Sequence, residues 1–373
     1  MTKKHWLCIK LVSLAGVVVF GLWLLTTFFF QHLISTQPKP ATDINEETEA
    51  FVFEPVIPGQ GVSVATDMNE HTGFHYETWH YRANVKSSDG KDYGIQFLVY
   101  RVANSDENGV GWNSTQIYTA QLVVSTEGKS WLQQRIARGG VGQAGVFMDP
   151  FHLWIDNWTW QSRNNTALPS YLSAHTDDFS VALTSEAYGP YILPGDNGYN
   201  ALHDLPSKVS YKFSAPFLRT KGTLNLNGKN VAVQGLAWID KEWGNSLLPE
   251  SGFGSNTFSI HLTDGRALVL NQYHKQDQMK FVTGTIANRS GTVTNISNDE
   301  IRLYPLENTT LLNGKTLALR WVIEIPKYNI SLITQTIENE LWLPFWVPSW
   351  EGPIKVTGSH MGVGFMQLTS QEQ

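Results

Sequence analysis

After residue 50 the chain is built from short runs of alternating apolar and polar residues, many closed by an Asx–Gly pair. In 92–101, Tyr93, Ile95, Phe97 and Val99 alternate with Gly94, Gln96, Leu98 and Tyr100. Side chains two apart share one face of a strand, so this period marks β-structure, and no sustained helical period competes with it. Segments 117–124, 179–185, 222–226, 258–263, 267–274, 317–325 and 330–337 also read as strands. Asp89–Gly90, Asn227–Gly228, Asp264–Gly265 and Asn313–Gly314 suit the tight turns of hairpins. Many short strands joined by short turns predict closed or sandwiched antiparallel sheets. The run from Glu77 to Arg101 is echoed by that from Asn256 to His274: strand, Asp-Gly turn, strand. Two barrels of similar design are therefore expected.

The length of 373 residues suits two domains rather than one core. Lys3, Lys4 and Lys10 precede an apolar run from Leu11 to Phe30, which is long enough to cross a bilayer as a helix. No small-residue cleavage site follows it, so it reads as an uncleaved signal anchor with the body outside the cytoplasm, periplasmic in a bacterium. The expected organisation is a cytoplasmic N-terminus at 1–10, a transmembrane anchor at 11–32, a linker at 33–50, and barrels at 51–243 and 244–373. Without the three leading lysines the chain carries 24 basic against 33 acidic residues. That balance excludes a nucleic-acid partner, which needs a basic surface. Cys8 is the lone cysteine, so neither a disulfide framework nor a cysteine zinc site is available within one chain.

Two stretches concentrate the chemistry. In GLAWIDKEWGN (235–245), a strand places Trp238, Asp240 and Glu242 on one face and Ile239, Lys241 and Trp243 on the other. Two carboxylates within about 7 Å disfavour joint ionisation, so one can hold a proton for acid catalysis, and the indole can stabilise a transient cation. The competing reading is a structural ion-pair cluster in which Lys241 pairs with Glu242. In HTGFHYETWHYRAN (71–84), His75, Glu77, Trp79 and Tyr81 share one face, and Phe74, Tyr76, Thr78 and His80 the other. His75 and Glu77 supply one ligand too few for a catalytic zinc, so neither a metal nor another cofactor is expected. A third stretch, 348–368, opens on Trp350, Glu351 and Gly352; Glu351 suits either a second cavity or a turn. The loop GGVGQAG (139–145) lacks the Lys-Ser/Thr of a phosphate loop, and no G-x-S-x-G elbow occurs.

In order along the chain, the motifs at 75–81, 89–101, 190–200, 235–245, 261–274 and 349–368 resemble those of the AttH and carotenoid 1,2-hydratase-like family, over residues 51 to 369. The resemblance implies two lipocalin-like antiparallel β-barrels in tandem. It also implies a large apolar ligand, a lipid or polyene, with hydration of a carotenoid double bond and cyclisation among the reactions of relatives. Many bacterial relatives resemble exported accessory proteins of ABC transport systems. Two departures bear on the reaction more than on the fold. The pattern T-E-W-W-Y has Thr78 at its Glu and His80 at its second Trp, and W-M-D-H-E-W-G has Lys241 at its His.

Two functions follow as expectations. One is an enzyme of hydratase, isomerase or hydrolase type, with Asp240 or Glu242 as acid, His75 and Tyr81 as orienting donors, and Trp79, Trp238, Glu77, His80 and Trp243 around the ligand. The other is a lipid-binding carrier held at the membrane through residues 11–30 and serving a transporter.

Overall fold

The computed structural model describes residues 52–369, apart from 107–108, 163, 165, 203–204, 246–252, 276–278 and 346. The expected segments 1–10, 11–32 and 33–50 lie outside the described residues. Among the described residues, no helix is long and apolar enough to cross a membrane, and the helical pieces are three single 3-10 turns.

The rest is sheet. The first sheet holds β1 (Tyr76–Ser87), β2 (Asp92–Ala103), β3 (Gln116–Thr126), β4 (Lys129–Arg138), β5 (Ala144–Met148), β6 (Phe151–Ile155), β7 (Trp158–Ser162), β8 (Ser170–His175), β9 (Phe179–Ala187), β10 (Tyr199–Leu202), β11 (Leu205–Leu226) and β12 (Lys229–Gly244). The second holds β13 (Phe253–Leu262), β14 (Ala267–Lys275), β15 (Met279–Ala287), β16 (Val293–Ile296), β17 (Arg302–Thr310), β18 (Thr316–Ile325), β19 (Ile330–Thr336), β20 (Trp342–Leu343), β21 (Ser349–Gly358) and β22 (Gly362–Leu368). Both lie in one compact unit, Phe51–Gln373.

The two sheets repeat one topology. Each is an antiparallel meander that curls until its first strand pairs with its last: β1 with β12, and β13 with β22. Each ladder breaks midway along the chain, between β4 and β5 in the first and between β16 and β17 in the second. The result is two barrel-like sheets in tandem. The hairpins β1–β2 and β13–β14, echoed in sequence, fill equivalent places. The loop 139–145 sits at the first break, where Gly139 and Ala144 make a single bridge. All four expected Asx–Gly turns join paired strands. At Asn227–Gly228 both residues have positive φ, 52° and 81°, the conformation that an Asn-Gly turn supplies at low cost.

Alternation decides what fills each barrel. Trp79, Tyr81, Phe97, Phe151, Trp158 and Trp160 point into the first, giving an aromatic core. The second is mostly aliphatic, with Ile260, Leu268, Leu270, Ile323 and Leu332 around Trp321 and Trp350. The outer faces of β1 and β2 pack on β21 and β22. Asn84 Nδ2 donates to the Gly364 carbonyl at 3.0 Å and Gln96 Nε2 to the Glu351 carbonyl at 2.9 Å. Gly94 touches Pro353 here, and a Cβ at 94 would sit 2.5 Å from the proline ring. A glycine lets the barrels approach this closely.

Candidate functional site

A cavity of about 450 Å³ lies between the two barrels, walled by the outer faces of β1, β2, β11 and β12 on one side and β13, β14, β15 and β22 on the other. The strand alternation read from 235–245 holds, and that read from 71–84 holds from Tyr76 onward; residues 71–75 are not strand, and Phe74 packs in the first core with Trp79 and Tyr81 instead of sharing the face of Tyr76. Pairing of β1 with β12 sets His80 opposite Asp240 and Thr78 opposite Glu242, and all four side chains reach this cavity. Pairing of β11 with β12 adds Lys212 opposite Glu242 and Ser214 opposite Asp240.

Asp240 is 7% exposed and held from several sides. Arg82 and Ser214 donate to it, Trp238 Nε1 donates at 3.1 Å, and Lys212 Nζ stands 3.9 Å away. So many donors fix Asp240 as an acceptor. Glu242 is more open. It accepts from Ser210 at 2.8 Å and Tyr76 at 3.2 Å, with Lys212 at 3.9 Å. Tyr76, Tyr100 and Tyr273 line the same cavity. Burial raises all three phenols above their ordinary pKa, and the nearby Glu242 adds to the effect, so they stay protonated as donors. The apolar share of the wall comes from residues such as Leu98, Val269, Ile296 and Val347.

Several candidates fall elsewhere, and alternation is the reason. Glu77, Trp79, Tyr81 and Trp243 turn into the first barrel, so they do not surround the cavity. Tyr81 is wholly buried and bonded to Ser185 and Thr220. Trp79 packs in the core with its Nε1 donating to the Met68 carbonyl at 2.9 Å. His75 stacks on Phe53, and its Nδ1 lies 3.3 Å from the Asn245 carbonyl. Trp238 reaches the site only through its bond to Asp240. Lys241 does not pair with Glu242. It crosses to the inner face, contacts Glu77 and lies 3.9 Å from the Trp79 ring centroid. Histidines 71, 75 and 80 diverge, and no group of three or more His, Cys, Asp or Glu side chains is placed to hold a metal among the described residues.

Glu351 does not stand at a turn. It is buried in β21, 3.3 Å from His80. Sequence reasoning also passed over Arg82, Lys212, Tyr100 and Tyr273. Arg82 was within reach, since it lies two residues past His80 on the same face. Lys212 was within reach as a face assignment, since Ser210, Lys212 and Ser214 alternate with Tyr211, Phe213 and Ala215, but its carboxylate partners come from the neighbouring strand.

The AttH-like family pattern matches residues 55–371. No curated protein matches the sequence. Among solved structures, a candidate AttH from Nitrosomonas europaea is similar at a TM-score of 0.77 and 23% identity, over 86% of this chain and 100% of that one. Kievitone hydratase from Nectria haematococca is similar at 0.63 and 15%, over 86% and 98%. At these identities the likeness is one of fold. With the pattern spanning most of the chain, the protein is a member of the AttH-like family.

Proposed function

We propose that the cavity between the barrels binds an amphipathic organic molecule and moves a proton at one of its double bonds, by hydration, dehydration or isomerisation. The observation that carries this reading is the convergence of Glu242, Lys212, His80 and three protonated tyrosines on one concavity between the barrels. A cavity of this size accepts a molecule of drug-like bulk. Its mixed wall favours a skeleton with hydroxyl or carbonyl oxygens over a bare hydrocarbon. Tyr100 and Tyr273 would hold such an oxygen, while Tyr76 donates to Glu242, and Lys212 would favour negative charge developing there.

Within the carboxylate pair the roles separate. Asp240, saturated with donors, orients Arg82, Ser214 and Trp238. Glu242 keeps a partly exposed carboxylate beside Tyr76 and is the group that carries a proton to or from the ligand or a water. The apolar run at 11–30 would keep such an enzyme beside the membrane, where amphipathic substrates partition. A carrier role fits less well, because aromatic and aliphatic side chains fill the barrel interiors and the cavity is lined by charge.

Native mass spectrometry of the protein purified in mild detergent identifies any co-purifying molecule. Glu242→Gln should bind that molecule within about tenfold of wild type, yet turn it over at least ~100-fold more slowly, since acid–base groups act mainly on the transition state. Unchanged turnover would reject the assignment.

A further inference from the structure

The charges around the cavity do not balance pairwise. Arg82 pairs with Asp240, and Lys212 stands 3.9 Å from both Asp240 and Glu242. Two cations thus answer two carboxylates. Glu351 is a third carboxyl, 2% exposed, and no lysine or arginine among the described residues is in ion-pair contact with it. It meets His80 instead. Glu351 Oε1 and His80 Nε2 lie 3.3 Å apart. Each is buried with no hydrogen-bond partner among the described residues. Orphaned buried polar atoms are costly. One proton between these two, after a slight turn of either side chain, would satisfy both.

Resting on the proton-transfer reading of the cavity, we propose that His80 and Glu351 share one proton across the barrel interface and that His80 passes it to the ligand. Glu351 is the positioning residue that stores the proton. His80, which lines the cavity, is the catalytic one.

The environment suits each partner. Burial raises the Glu351 carboxyl to about 7, with Arg82 opposing. Burial holds the His80 imidazole well below its ordinary value, and Arg82 and Lys212 push the same way. The proton therefore rests on the carboxyl, and the neutral imidazole accepts it at Nε2. That tautomer carries its own proton on Nδ1, the nitrogen left for a ligand. In the forward step the Nδ1–H bond breaks as a ligand atom takes that proton. The Glu351 O–H bond breaks as its proton moves to Nε2. A carboxylate and the opposite imidazole tautomer remain. When the adding water gives up a proton, the relay runs backward and restores the acid. The charged and titratable groups facing the pair are Arg82 from β1, Tyr100 from β2, Lys212 from β11, and Asp240 and Glu242 from β12; Gln367, opposite Glu351 on β22, is neutral.

The first arm of the test needs no ligand. Infrared difference spectra of the full chain in mild detergent, titrated from about pH 5 to about pH 9, should show one carboxylic-acid band lost with a midpoint near 7. The band should be missing in Glu351→Gln and displaced in His80→Gln. Ring-nitrogen NMR should show Nε2 of His80 bare at low pH and protonated at high pH, a tautomer switch that passes through no imidazolium. A band that persists in Glu351→Gln overturns the proposal, as does its absence in wild type. So does a His80 that titrates to imidazolium without switching tautomer. If Glu351→Gln fails to fold, the wild-type NMR decides, with His80→Gln giving the assignment. A tautomer switch alongside normal turnover in Glu242→Gln would keep the pair and remove the cavity reading. No switch alongside a dead Glu242→Gln would do the reverse.

Discussion

Strands β1 and β12 carry a buried charge network on each face, and the outer one opens on the cavity between the barrels. The inner network joins Glu77, Lys241, Arg101 and His71. Glu77 accepts from Lys241, from Arg101 Nε at 3.1 Å and from the His71 backbone at 2.9 Å, while His71 Nδ1 lies 2.5 Å away. Arg101 spends its other donors on Gln116 and on the carbonyls of His71 and Phe74. His71 stacks on Trp243 with ring centroids 4.3 Å apart. The outer network has the same residue types but leaves His80 Nε2, Arg82 Nε and Glu351 Oε1 without hydrogen-bond partners among the described residues. Residue type alone therefore does not mark a site. A fully bonded network locks a fold, while one with open valences beside a void is placed to meet a ligand.

The largest effect should come from breaking the lock. Glu77→Gln strands Lys241 and Arg101 as buried cations, both with no exposed surface. Loss of one partner from such a cluster costs about 3–5 kcal/mol, read as a lower urea midpoint at unchanged slope. Glu242→Gln on the outer face should cost no more than about 1 kcal/mol, because that side chain is 30% exposed. Equal losses would mean that both networks are structural.

This contrast explains what was legible. The alternation of Asp240, Lys241 and Glu242 sent the lysine inward and the two acids outward, as a strand requires. The curled meanders followed from Asx–Gly turns and short alternating runs. Which face would meet a cavity was not legible, because both faces of β1 carry aromatics and charges, and the inner one bears Trp79 and Tyr81. A barrel interior packed with tryptophan has the composition of a binding site and the energetics of a core. His80 and Glu351 lie 271 positions apart, and nothing local in β21 points across the interface. The same holds for Lys212, whose partners come from a neighbouring strand.

The two faces should also titrate in opposite directions. Burial opposes ionisation of Glu77, yet Lys241, His71 and Arg101 together hold its carboxyl at about 2, below the ordinary 4.5. Its contribution to stability is present above about pH 4.5 and is lost as pH falls toward about 2. Glu351 is raised to about 7 from the same 4.5. Its contribution is complete below about pH 4.5 and is lost as pH rises through about 7. Glu351→Gln should therefore gain on wild type between pH 5 and pH 8, by up to roughly 3 kcal/mol, seen in urea midpoints at the two pH values. A constant difference would show that Glu351 is ionised throughout that range.

The smallest expected effect is the sharpest division between the faces. Trp79→Phe removes the indole N–H bond to the Met68 carbonyl and weakens the contact with Lys241, whose Nζ lies 3.9 Å from the ring centroid. Losing one buried hydrogen bond, part of a cation–π contact and some packed volume should cost about 2 kcal/mol. Because Trp79 points into the first barrel and the cavity lies outside it, affinity for a ligand recovered from the protein should stay within about twofold once folding is corrected for. Tyr100→Phe, on the outer face of β2, should do the opposite to binding and weaken it, through a lost donor to the ligand oxygen. If Trp79→Phe weakens binding tenfold while Tyr100→Phe does not, the ligand sits inside the first barrel after all, and the inner network belongs to the site.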